Sequence, residues 1–398
     1  MKKIGVFVFL SFVCCSSFGE EFRFQYQEGS QYRILAEVDE DVYINGGYSH
    51  SAQILNRIAI RILQTRDDNG LIHGEFQISE EAQGSGQIYT WGNVYESEFW
   101  RGPRGEYEID EHYFMPVVRN VPRFPERSVE PGDTWVFQAE EVHDFRNNFQ
   151  ISAPYRVPVT VTYTYQGNEE VDGREMGVIE MSYNVFHRTS LRGVRNTLFP
   201  VRMSGASRQT MYWDFENGRP HSYTEDFEFI LELASGDEVE YVGTASAEVI
   251  ASEPLELESV AEDIQQRLDE GGVEDTTVEE DDEGVTISLE NIRFRPDSAE
   301  LLESEIEKLR QIANILEEYP ERDILITGHA ARLGSEEYLV ELSRLRAQAV
   351  AEQLHEWGVR ERTHMYTQGL GSSQPIADNS TEEGRRRNRR VTITILNN

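Results

Sequence analysis

Cysteine occurs only as Cys14 and Cys15, so a chain that begins after them contains no thiol. Neither disulfides nor thiolate metal sites can then support its fold. Bases are scarce as well: 37 Lys and Arg stand against 72 Asp and Glu in 398 residues, a formal charge of -35. Such a surface repels nucleic acid and anionic lipid at long range, which excludes nucleic acid as a partner. Long hydrophobic runs are missing after the first residues, so no mature spanning helix is expected. The patterns GxSxG, HExxH and the phosphate loop are all absent. The histidines do not cluster at metal-ligand spacing, and the acid pair Asp281-Asp282 sits in a polar turn. The chain is therefore read as no enzyme, with no metal and no cofactor.

What is present begins with MKKIGVFVFLSFVCCSSFGE. Lys2 and Lys3 precede an apolar run, Ile4 to Val13, too short to span a bilayer. Ser17-Phe18-Gly19 is a small-x-small cleavage site. Residues 1–19 thus read as a secretory signal peptide, with lipidation at Cys14 or Cys15 as the alternative. Either way the protein leaves the cytoplasm. Hydrophobic residues make up 38% and aromatics 11%, enough for a packed core, and the length suits two or three domains.

Residues 20–252 read as an all-β domain. FRFQYQ puts Phe22, Phe24 and Tyr26 on one face, and VPVTVTYTY does the same for Val157, Val159, Val161, Tyr163 and Tyr165. Period-two alternation with β-branched and aromatic residues is a strand signature. Asn45-Gly46-Gly47, Asp68-Asn69-Gly70, Asp172-Gly173 and the run from Glu216 to Pro220 mark turns. Pro116, Pro122, Pro125 and Pro131 make the segment before Trp135 a loop or an edge, because proline cannot donate to a ladder. The Trp135 ring is expected to pack beneath that loop. The expected form is a soluble sandwich or open barrel. A membrane barrel is the alternative, opposed by charges that interrupt the outward faces.

From Glu253 to Glu283 there are 14 acids and one base, Arg267. Leu257, Val260, Ala261, Ile264 and Leu268 still recur at helical spacing, and Gly271-Gly272 ends the helix. Residues 253–284 are read as this acidic helix plus a solvated turn, EEDDEG. Residues 285–398 then alternate element types: strand VTISL, a helix with Asp297 or Ser298 as cap and Glu300 completing a capping box, strand DILITGH, a helix from Ser335 to Trp357 stopped by Gly358, and strand VTITIL. That order implies an α/β sandwich.

The second helix carries an anomaly. At about 100° per residue, Arg346 falls among Leu342, Leu339 and Val350, in the middle of the apolar face. A guanidinium there is costly unless it meets an anion or carbonyls; the structural alternative is a snorkelling or internally paired arginine. Here a family resemblance bears on the choice. The motifs IRFRPDSAEL, ITGHAARLGSEEY, LSRLRAQAV and GLGSSQPIADNSTEEGRRRNRRVTITI run in order through residues 285–396 and resemble the OmpA-like domain, a periplasmic module that binds peptidoglycan in Gram-negative envelopes.

The resemblance implies a site. In the family, the aspartate of a GHTD tetrad holds the ammonium of a diaminopimelate in the peptidoglycan stem, and the arginine of LSxxRA holds its carboxylate. One acid and one fork-shaped base suit a zwitterionic terminus. Arg346 falls on that arginine. The tetrad reads Gly328-His329-Ala330-Ala331 here, so Ala331 replaces the acid, and Leu339 replaces a family asparagine. Glu336 and Glu337 open the helix, where they complement its N-terminal dipole. Arg390, nearest the last strand in the run from Arg385, is expected to face the ligand groove. The ligand-binding set implied by resemblance is thus Arg346, His329, Ala331, Leu339 and Arg390. The expected protein is a non-enzymatic periplasmic or outer-membrane envelope protein that tethers or scaffolds between wall and membrane. Its peptidoglycan recognition is expected to be weakened or altered, with envelope proteins as further partners. The alternatives are a protein-docking module that has lost the ligand, and an outer-membrane barrel with a periplasmic OmpA-like domain.

Overall fold

The computed structural model describes residues 19–82, 88–189, 196–251, 253–290, 292–295 and 298–397. The signal-peptide and lipidation expectations fall outside these residues except at Gly19, as does the cap expected at Asp297. The N-terminal elements are β1 (Gln31–Ile44), β2 (Gly47–Arg66), β3 (Asn69–Ala82), β4 (Tyr89–Thr90), β5 (Asn93–Arg101), β6 (Tyr107–Ile109), β7 (Val118–Arg119), β8 (Thr134–His143), α1 (Arg146–Phe149), β9 (Tyr155–Val171), β10 (Arg174–Arg188), β11 (Pro200–Asp214), β12 (Arg219–Leu233) and β13 (Glu238–Ala251). All but β4 form one antiparallel sheet of twelve strands, ordered β6-β5-β3-β2-β1-β13-β12-β11-β10-β9-β8-β7.

The chain meanders outward from β1 to β6, crosses through the proline-rich segment, and returns from β7 to β13, which pairs with β1. The crossing brings the two edges together: Tyr107 N donates to Asn120 Oδ1 at 2.9 Å and Phe124 N to Arg104 O at 3.0 Å. The result is a nearly closed, barrel-like sheet rather than a two-sheet sandwich. Val157, Val159, Val161, Tyr163 and Tyr165 point inward as their alternation requires. The Trp135 indole stacks on Tyr163 and donates to Arg123 O at 2.8 Å, beneath the loop.

The polarity of this sheet opposes the membrane-barrel alternative. Its inward face is mostly apolar, with Glu141, Ser207 and Glu225 hydrogen-bonded within it, while Thr160 and Thr162 on β9, Asp226 and Glu228 on β12, and Thr244 and Glu248 on β13 are exposed outside. A lipid-facing barrel needs an apolar band outside. Two local expectations also change. Phe22 and Phe24 are buried against Phe124 and Trp213, yet their segment joins no named strand: it is held by this packing and by single backbone bonds to different loops, Phe24 N to Pro103 O at 2.8 Å and Gln25 N to Gly218 O at 3.1 Å. The β2–β3 turn places positive φ at Asp67 and Asp68, upstream of the expected glycine.

The C-terminal elements are α2 (Leu257–Glu270), β14 (Thr276–Asp281), β15 (Gly284–Glu290), α3 (Glu303–Leu316), β16 (Ile324–Gly328), α4 (Glu336–Glu356), β17 (Met365–Gly369), α5 (Glu382–Asn388) and β18 (Arg390–Leu396). Their mixed sheet runs β14-β15-β18-β16-β17 and is completed by β4 from the N-terminal part. α2, α3 and α4 pack on one face through Ile264, Leu309, Ile312, Val350 and Leu354. The acidic lead-in is therefore part of this unit, and Glu279 to Asp281 lie in the edge strand β14 rather than in a turn. α3 starts later than its capping pattern suggests. Its N-cap position is Leu302, because the Ser298 hydroxyl is engaged by Glu300 N at 3.0 Å in a turn and the Glu300 carboxylate pairs with Arg295 at 2.9 Å.

The two units are joined by more than chain continuity. β4 adds in parallel to β17, with Tyr89 opposite Tyr366. Leu55, on the outer face of β2, packs with Tyr89, Leu325, Tyr366 and Leu396. Beside this apolar contact, Asp323 is fully buried and meets Arg57 Nε at 2.7 Å, Arg33 Nε at 3.4 Å and His364 Nδ1 at 2.7 Å. Arg33 and Arg57 are themselves buried and belong to β1 and β2.

Candidate ligand site of the C-terminal unit

Two glycines set how closely α4 lies on the sheet. A Cβ on Gly328 would stand 2.0 Å from Ser343 O, and one on Gly369 would stand 2.4 Å from Val340 O. Only backbone hydrogens fit in these gaps, so α4 rests almost directly on the ends of β16 and β17. Ser343 fills the seam, donating to Val340 O at 2.8 Å and accepting from Gly371 N at 3.0 Å.

This close approach moves the buried face of α4. Leu339, Ser343, Ala347, Val350, Ala351 and Leu354 are buried, whereas Leu342 is only half-buried. Arg346 therefore stands at the border of the buried face, not in its middle. An apolar pattern gives no weight to Ser343, and the small residues define the true contact line. The Arg346 guanidinium lies 4.9 Å over the Phe294 ring, and its Nε donates to Ser298 O at 3.3 Å. A cation over an aromatic face with a carbonyl partner is a satisfied arrangement at the border of the buried face.

Ala331 and Leu339 are 4% and 3% exposed, so both apolar replacements are sealed from solvent. Glu336 is engaged elsewhere: its carboxylate accepts from Ser372 N at 2.7 Å and Ser372 Oγ at 2.6 Å. Those two bonds, from side chain and backbone, hold its pKa below the usual carboxylate range. Ser335, where the sequence begins this helix, is its N-cap and accepts from Tyr338 N at 3.4 Å.

His329 and Arg390 lie apart from Arg346. His329 N donates to Arg390 O at 2.9 Å, and both side chains line the sheet face away from the helices. Burial pushes the His329 imidazole down to about 3, with the Arg390 charge adding to the effect. The arginine run is largely committed locally: Arg385 and Arg389 pair with Glu382, and Arg387 with Glu290 at 2.7 Å. Asn388 is fully buried and bonds Ile376 N and Ala377 N.

The His329 environment gives a pH dependence. A histidine kept neutral by the fold stabilises it fully above the unfolded pKa of about 6.5, and the benefit is lost as pH falls toward the folded value. Between pH 6.5 and 4.5 the expected loss is about 2–3 kcal/mol. Thermal unfolding at pH 7 and 4.5 should show a smaller pH difference for His329→Gln than for wild type. An equal difference would contradict this assignment.

Sequence reasoning missed Asp323, Arg33 and Arg57, and it missed the strand contributed by Tyr89 and Thr90. The two arginines occupy outward positions of ordinary alternating strands, where charge is unremarkable. The comparisons with known proteins concern the C-terminal unit. The OmpA family profile matches residues 293–389. The probable lipoprotein YiaD of Escherichia coli is 39% identical over 105 residues, 26% of this chain and 48% of that protein. The peptidoglycan-binding protein ArfA of Mycobacterium tuberculosis is 41% identical over 104 residues, 26% of this chain and 32% of that protein. The solved structure of an outer membrane protein from Borrelia burgdorferi is 35% identical and covers 31% of this chain and 97% of that one, with a TM-score of 0.27. The match thus spans about a third to a half of the curated relatives' length.

Proposed function

Residues 293–389 form an OmpA family domain, and from that premise we propose that the protein is a non-enzymatic envelope protein. It tethers or scaffolds between peptidoglycan and the outer membrane, with the β-rich unit at 20–252, the acidic lead-in at 253–284 and the OmpA-like unit at 285–398. A relative named as peptidoglycan-binding supports the ligand class. The observation that carries the reading is Arg346: it keeps the family frame around it and stands over Phe294 at the mouth between α4 and the turn at Ser298. There it can take a carboxylate of a stem peptide in bidentate fashion. Ala331 gives the ligand's ammonium no counter-charge, so binding is weaker than the resemblance alone implies. A docking module is favoured by one feature, the exposed Leu333 and Tyr338 flanking the sealed Ala331.

The test is cosedimentation of the mature chain with insoluble peptidoglycan. Wild type is expected to sediment weakly and Arg346→Ala not at all. If both sediment equally, Arg346 is not the anion site. If neither does, the docking reading takes precedence.

A further inference from the structure

The sheet face that carries His329 and Arg390 borders a groove of about 820 Å³ between the two units. Its floor has an ordered chemistry. Thr277 is opposite Ser288, Ser288 opposite Thr392, Thr392 opposite Thr327, and Thr327 opposite Gln368. One row thus sets four hydroxyls and an amide side by side at the spacing of neighbouring strands, about 4.8 Å. The next row holds Glu290, Arg390 and His329. Trp91, which follows the added strand β4, forms the wall and packs edge-on to Tyr366 at 5.3 Å.

Two atoms in these rows are unusual. Ser288 Oγ and His329 Nδ1 are buried and have no hydrogen-bond partner, and His329 is 4% exposed. Each such group destabilises the fold, and folded proteins rarely keep one without a use.

The chemistry of the lining selects among ligands. Five acids, Glu279, Glu280, Asp281, Glu283 and Glu290, face only Arg387 and Arg390, and Arg387 is already paired with Glu290. A polyanion would be repelled. A lipid chain would find hydroxyls instead of an apolar lining. A peptide added as a strand needs free backbone groups at a sheet edge, whereas this floor is a sheet face whose backbone is already paired. What remains is a molecule with many neutral hydroxyl or amide groups on its edges and an apolar C–H face for Trp91. We propose that this groove binds an uncharged saccharide chain, with Ser288, Thr392, Thr327 and His329 bonding its polar edge and Trp91 covering a ring face. The site is separate from Arg346 and does not depend on stem-peptide binding there.

Calorimetric titration of the full mature chain with a β-1,4-linked N-acetylglucosamine tetramer, and with maltotetraose as a second neutral probe, tests this. At least one probe is expected to bind wild type. The double variant Ser288→Ala with Thr392→Val should bind roughly tenfold or more weakly, the loss of two hydrogen bonds. Its Tm should not fall, because Ser288 Oγ has no partner in the free protein. Absence of binding by both probes overturns the proposal. So does equal affinity in the double variant, or tighter binding of an acidic polysaccharide such as polygalacturonate. Failure here with Arg346-dependent cosedimentation intact removes the groove alone. Saccharide binding by wild type, together with cosedimentation that Arg346→Ala leaves unchanged, removes the stem-peptide reading alone.

Discussion

Asp323→Ala is expected to lower the stability of the joined structure by about 3–5 kcal/mol, the range for removing one partner of a buried charge cluster. The size of the effect comes from what remains. Arg33 and Arg57 are 1% and 3% exposed, so both guanidinia would stay buried without the carboxylate that compensates them. His364 would lose its acceptor as well. In calorimetry the variant should unfold several degrees lower, with the β-rich and OmpA-like units separating into two transitions. The net worth of the cluster is a different quantity. Replacing a buried ion cluster by apolar residues of similar size is often neutral. The triple variant Arg33→Met, Arg57→Met and Asp323→Met should therefore recover most of the loss. If Asp323→Ala melts like wild type, the units are not held together at this point.

The same cluster has a direction in pH. Burial raises the Asp323 pKa, but the His364 hydrogen bond and the charges of Arg57 and Arg33 outweigh it and hold the carboxyl below its ordinary value. Its contribution is therefore complete above about pH 4 and is lost as pH falls through the lowered value.

The second large effect is a gain. Ala331→Asp together with Leu339→Asn is expected to raise affinity for insoluble peptidoglycan about ten- to hundredfold. That follows from one restored charge-assisted hydrogen bond of about 1.5–3 kcal/mol. The improvement should vanish when Arg346→Ala is added, since the acid and the base hold opposite ends of one zwitterion. Both replaced positions are buried, so the double variant should also be less stable than wild type. Cosedimentation at matched folded fraction separates the two effects. A folded double variant that binds no better than wild type would show that the groove geometry, and not the missing acid alone, has changed.

Much of the molecule was legible from residue order. The alternation from Val157 to Tyr165, the Asp172-Gly173 turn, the helix start at Ser335 and the Gly358 stop each rest on local chemistry, and each takes its expected form. So does the OmpA-like unit, whose motifs are contiguous and in order. Where local signals competed, the outcome depended on neighbours. Ser298 was a reasonable helix cap, but it serves a turn closed by Arg295 and Glu300. Arg346 was placed mid-face by its apolar neighbours, but Gly328 and Gly369 draw α4 inward and move the contact line to Ser343 and Ala347.

The sequence alone determined the acidic surface, the β-rich first part, the α/β second part and an alanine at 331 where the family resemblance implies an acid, because composition, periodicity and motif order are local or additive. Only the tertiary structure decided that the β-rich part nearly closes on itself, that β4 completes the other unit's sheet, that Asp323 meets Arg33 and Arg57, and that His329 and Arg390 share a groove away from Arg346. Each of these is a pairing between residues distant along the chain. Strand addition and ion pairing leave no periodic trace, since an arginine that will be buried against a partner unit looks the same in sequence as one that faces water.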